Sequence, residues 1–239
     1  MSAGRSCRGG VFGACWALVE PVFTVWRARR SVPDAAARVH DVREIVDAIL
    51  YVTRTGIPWE CLPHGFPPYK AACDCCARWE ADGATRRVHD LLRDRICRAH
   101  GRSAEPAAAV GGAQSVKTSA DVAEAGQGID AGKKIEGRRR HLIADSLGLV
   151  AVLITAAIVH GITGGRFLLD DLAAARPGVS RVWADGGCRS SIFNHGAGPG
   201  IDVEVVQWPR AKGFELLPRR WVIEGAFGWL MQVPPSGAR

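Results

Sequence analysis

The stretch LLPRRWVIEGAFGWL, residues 216–230, holds two arginines, two tryptophans and one carboxylate, Glu224, in an otherwise apolar run. The pattern predicts a helix from Arg219 onward, with Pro218 in the first turn, where its missing N–H costs nothing. Ile223, Phe227 and Leu230 fall on one stripe, and Glu224 shares a face with Arg220 one turn before it. Two chemistries fit that pair. One is a helix-surface ion pair, stabilising by about 0.2–0.5 kcal/mol. The other is a half-buried carboxylate that ligates a metal. A second carboxylate, Asp185, ends the apolar stretch in VWADGG (182–187), where glycines let the backbone turn tightly. An Asp-Gly turn and a cleft-lining carboxylate at a strand end both fit that position. Taken together, a strand-end Asp and a later helical Glu preceded by arginines suit Mg²⁺-dependent phosphodiester chemistry. In such a site two oxygen-ligated ions about 3.5–4 Å apart activate the nucleophile and stabilise the leaving oxygen. Arginines beside the glutamate would grip phosphate through paired N–H groups. A third carboxylate is then expected from the first strand.

The elements that would position these groups are legible in part. After GRSAEPAAA (101–109), a linker by composition, EPAAAVGGAQSVKT contains a strand candidate ending in glycines. Residues 119–137 are rich in glycine and charge and are expected to form a loop. HLIADSLGLVAVLITAA (141–157) predicts two strands joined by a DSLG hairpin turn, GGRFLLDDLAAARPG (164–178) a helix, and VSRVWADGG and IDVEVVQ two further strands. The expected order is β-β-β-α-β-(α)-β-α, an α/β arrangement with antiparallel strands first. Residues 1–100 read as helical. HDVREIVDAILYVTRTG, a short segment in AACDCCARWEADG and TRRVHDLLRDRICRAHG give three helices around a small core. That unit is either a helix-turn-helix DNA-binding module or a plain helical packing domain.

Composition narrows the class. The net charge is +7 and the pI about 9.2, with basic clusters RARR (27–30), RDRICRAHGR (93–102) and KKIEGRRRH (133–141). This balance favours a polyanionic partner, nucleic acid first. The N-terminal stretch is broken by charge and glycine before any useful apolar run, and LGLVAVLITAAIVHGI (147–162) is too short to span a bilayer, so a cytoplasmic protein with no membrane partner is expected. Among eight cysteines only CDCC (73–76) clusters, and it lacks the second pair that a zinc site needs, so the thiols are read as small packing residues.

QSVKT (114–118), DAGKKIEGRRRHLIADSLGL (130–149), VWADGG (182–187) and KGFELLPRRWVIE (212–224) together resemble bacterial insertion-sequence transposases of the DDE class, in the insertion-sequence-four/five group. HDVREIVDAILYVTRTGIPWECLPHGFPPYK is similar to the helical domain that precedes the catalytic domain there. The resemblance implies an α+β/α/β chain: a helical, helix-turn-helix-like domain (1–100), a linker (101–109), an RNase H-like catalytic domain with a mixed sheet (110–230) and a tail (231–239). It further implies Mg²⁺-dependent cleavage and transfer of double-stranded DNA at terminal inverted repeats, with a homodimer compatible. By this resemblance Asp185 and Glu224 are the second and third catalytic, metal-binding carboxylates. Lys117, Lys133, Lys134, Arg138, Arg139, Arg140, Arg219 and Arg220 are the expected DNA contacts.

The pattern breaks at its first member: where the family has Asp before a small residue and QSVK, this sequence has Gly112. Asp145 is the nearest spare carboxylate on an adjacent strand. Gly225 stands where the family has Arg, and the chain ends MQVPPSGAR, whose prolines forbid the continuing basic helix and give a C-terminally truncated reading. The expectation is a transposase whose chemistry is impaired at Gly112. The alternatives are a non-catalytic DNA-binding protein and an inactive pseudogene product.

Overall fold

The structure, a computed structural model, describes residues 13–29, 40–118, 124–185, 195–206 and 220–232. The chain divides into two compact units, one spanning 1–96 and one spanning 97–232. Four helices carry the first: α1 (Gly13–Ala28), α2 (Val42–Thr55), α3 (Tyr69–Ala81) and α4 (Ala84–Ala99), the last running on into the second unit. The sequence pattern gave three. It passed over α1, which holds Pro21 in its interior, where a proline normally ends or kinks a helix. The helix still forms around Val19, Phe23 and Trp26, spaced i, i+4, i+7 and all buried. Their partners are Ile45, Ala48, Cys75 and Trp79. Phe23 and Trp26 lie 4.5 and 5.9 Å from the Trp79 ring, and the Trp26 indole N–H donates to Asp82 Oδ2 at 2.7 Å. At the start of α2 the Asp41 carboxylate accepts from the Arg43 N–H. At its end Gly56, at φ 68°, donates back to the Val52 carbonyl.

The second unit is a six-stranded mixed sheet with a helix on each face. The strands are β1 (Ala108–Lys117), β2 (Gly128–Asp130), β3 (Ile135–Asp145), β4 (Gly148–Ala156), β5 (Arg181–Asp185) and β6 (Asp202–Val206); α5 is Gly161–Ala175 and α6 is Arg220–Gln232. β1 is central. It pairs antiparallel with β3, Gly112 opposite Leu142, and parallel with β5, Gly111 opposite Ala184. β6 continues the parallel side. β2 and β4 share the outer edge of β3, β2 along 135–137 and β4 along 138–145.

Residues 128–130 and 135–137, expected as loop, are therefore strand; 119–123 lie outside the described residues. The reason is that β3 begins under a run of charge, IEGRRR, which hides its alternation from an apolar count. The DSLG hairpin forms: Asp145 Oδ1 accepts from the N–H groups of Leu147 and Gly148 at 2.9 and 3.1 Å. Alternation along β3 sends Ile143 into a core with Leu168, Leu169 and Leu172 of α5, and sends Leu142 and Ala144 to the opposite face against Ile223 and Ala226 of α6. The helix bearing Glu224 is thus held on one face of the central strand.

Candidate active site

Parallel pairing brings the end of β5 beside the middle of β1. Ala184 pairs with Gly111, so the next residues along the two strands, 185 and 112, stand side by side. Asp185 closes β5 opposite Val206; its carboxylate and residues 186–187 lie outside what is described. α6 crosses above through Ile223 and Phe227. Between them is a cavity of about 240 Å³ lined by Gly112, Ala184, Val206, Lys133, Arg220 and Glu224, among others. The structure thus brings four of the expected positions, 112, 133, 220 and 224, to one cleft, with position 185 at the end of the strand that walls it.

Among the described residues lining the cleft, Glu224 is the one acid. A Cβ at position 112 would come 2.9 Å from Ile223 Cγ1 and 3.4 Å from Phe227 Cε2, so an apolar helix face fills the place of the missing side chain. Asp145 is engaged in the hairpin turn, where its Oδ1 accepts from the Leu147 and Gly148 N–H groups. Glu224 Oε1 accepts from Arg220 Nε at 2.7 Å, with the Glu224 side chain 60% exposed.

Comparison with known proteins identifies the family. Residues 13–89 match a family described as "Putative transposase of IS4/5 family", and residues 98–233 match the family described as "Transposase DDE domain". The second match covers more than half of the chain. This chain belongs to the DDE transposase family. No curated protein matches it.

Membership implies DNA transposition, DNA binding and a divalent metal as properties of the family. Among the described residues of this transposase, which leave out the Asp185 carboxylate, no group of three His, Cys, Asp or Glu could hold an ion, and Gly112 lies packed under Ile223. Its helices, among the described residues, include none long and apolar enough to cross a membrane.

The basic residues divide. Lys117, Lys133 and Lys134 are exposed, and Arg138 and Arg140 are half-buried, donating to the Gly126 carbonyl and the Met231 sulfur. Arg219 lies outside the described residues. Arg139 is corrected from a DNA contact to an internal one. It is 12% exposed, pairs with Asp130, and donates to Ser115 Oγ at 3.2 Å and the Val159 carbonyl at 2.5 Å. Strand alternation is the cause, since 139 and 141 point to the face opposite 138 and 140. RDRICRAHGR is likewise not wholly a solvated face, for Arg93 is 5% exposed.

The buried set around Arg139 is what sequence reasoning missed. Asp130 accepts from Ser115 Oγ at 2.5 Å and from the Lys133 N–H at 3.2 Å. The Ser115 hydroxyl, followed by the Arg139 guanidinium, holds the Asp130 carboxyl down at about 2. His141 bonds Thr155 Oγ1 at 3.0 Å; burial, then the Arg139 charge, lowers it to about 4. The only signal was the position of Asp130 and Ser115 inside DAGKK and QSVKT.

Proposed function

We propose that this transposase binds DNA as its family does but has lost strand cleavage and transfer. The observation that carries this reading is Gly112. In the three-carboxylate site that the resemblance implies, Asp185 and Glu224 would be the second and third members, and position 112 the first. Here that position offers no oxygen, and Ile223 Cγ1 stands 2.9 Å from where a Cβ would lie. Losing one of three shared ligands removes several kcal/mol of transition-state stabilisation, on the scale attributed to metal catalysis. Glu224 pairs with Arg220 on the exposed face of the same helix.

The reading draws support from the sheet. Antiparallel β1, β3 and β4, followed by parallel β5 and β6 with a helix on each face, form an order suited to an RNase H-like domain. A helix-turn-helix role for the first unit is supported by the two-residue Asp82–Gly83 turn between α3 and α4, with Gly83 at φ 68°. Lys117, Lys133, Lys134, Arg138, Arg140, Arg219 and Arg220 are the proposed contacts to double-stranded, inverted-repeat DNA.

The test is incubation with terminal inverted-repeat DNA and Mg²⁺ or Mn²⁺, read by nicking and by gel retardation. Retardation without nicking is expected. Nicking by the native chain that Asp185→Asn abolishes would overturn the reading.

A further inference from the structure

The turn between β2 and β3 runs Asp130-Ala131-Gly132-Lys133-Lys134-Ile135, with Asp130 and Ile135 paired at its base. Lys134 is the one non-glycine residue among those described with a positive φ, 54°. A lysine there carries a conformational cost that glycine would not, and strain of this kind persists where the surroundings enforce it. The surroundings do so from below. Asp130 is buried and takes hydrogen bonds from Ser115 on β1, from Arg139 on β3 and from the Lys133 N–H inside the turn itself. Its carboxylate therefore ties the turn to two strands at once. The result is an exposed pair of lysines at a fixed place. Lys133 lines the 240 Å³ cleft that holds Glu224, and also a second cavity of about 480 Å³ on the other side of Gly112, with Asp130, Arg139 and His141 in its wall.

We propose that Asp130 is a positioning residue whose buried bonds hold Lys133 and Lys134 as a clamp for backbone phosphates of DNA at the mouth of the cleft, with strain at Lys134 retained because a cation is needed there. This rests on the DNA-binding reading above and adds the residues and the ligand group. The clamp works without a divalent ion, because two ammonium groups meet phosphate directly as point charges. Ordering comes from a buried, doubly anchored carboxylate.

The full chain and variants are titrated with a short DNA duplex of mixed sequence over a range of salt, and melted separately. Lys134→Gly is expected to raise the melting temperature by about 2–4 °C, by relieving the positive φ, while making the slope of log affinity against log salt shallower by about 0.9. Asp130→Ala is expected to flatten the slope as far as Lys133→Ala and Lys134→Gly do together. Asp130→Asn, which keeps the acceptor for the Lys133 N–H, is expected to recover part of it. If the native chain binds and Lys134→Gly melts higher with an unchanged slope, the clamp is wrong and the DNA-binding reading stands. If Asp130→Ala lowers only the melting temperature, the positioning role is wrong. If the native chain does not bind the duplex at low salt, the DNA-binding reading itself falls, and the clamp with it.

Discussion

His141 is 1% exposed, and its ring lies so close over α5 that a Cβ at Gly164 would meet it at 2.2 Å. A proton on that ring is disfavoured by burial and then by Arg139, so its folded-state value falls from the ordinary 6.5 to about 4. The sign follows. As pH drops below 6.5 the unfolded chain takes up a proton that the folded chain refuses, so stability is full above that value and declines toward pH 4. The loss is on the order of 3 kcal/mol across the window. Asp130, lowered from 3.8 to about 2, adds a second loss only below pH 4. Urea denaturation at pH 7.5 and pH 4.5 checks this: the midpoint falls sharply in the native chain, and His141→Gln flattens the dependence in that window. At this scale the sequence revealed the exposed half of the chemistry. Asp185 and Glu224 stood out as candidates because strand ends and helix faces have readable signatures, and Gly112 only through the resemblance to the family pattern before QSVK. Asp130, Arg139 and His141 did not, because a charged run reads as solvated until strand alternation turns every second side chain inward.

The helix α6 carries two glycines, Gly225 and Gly228, with nothing within 4 Å of an added Cβ. Each costs about 0.8–1 kcal/mol relative to alanine, and neither is required by packing. Gly225→Ala and Gly228→Ala should therefore each raise the melting temperature measured by calorimetry, and the two should add. Gly112 behaves oppositely, because its neighbour is the branched stem of Ile223. Gly112→Asp alone should lower the melting temperature, whereas Gly112→Asp with Ile223→Ala should be less damaging than the sum of the two single changes, since they share one contact. The α6 stripe of Ile223, Phe227 and Leu230 was evident from period alone and is the stripe that packs. α1 and the start of β3 were not evident, one concealed by Pro21 and the other by arginines. In both, tertiary burial prevailed over local pattern.

Across the whole molecule the excess of positive charge, +7, sets the expected behaviour toward DNA. Neutralising one phosphate with each of Lys117, Lys133, Lys134, Arg138, Arg140, Arg219 and Arg220 would give a slope of log affinity against log salt of about −6. Fluorescence anisotropy over a salt series checks it, and a slope near zero would remove the backbone contacts. The division into a helical unit and a sheet unit was visible in the change of texture near residue 100. Its cause is physical, for each unit closes its own core, around Trp79 in one and on both faces of β1 in the other. The charge was legible as well, but which cations face outward required the register of β3. The central claim is that the cleft beside Gly112 no longer gathers enough carboxylates for a metal site. Titration calorimetry of the native chain with Mn²⁺ tests it most directly. The account predicts no saturable heat at low millimolar metal, and no difference between the native chain and Glu224→Gln. Stoichiometric binding that disappears in Glu224→Gln or Asp185→Asn would contradict it.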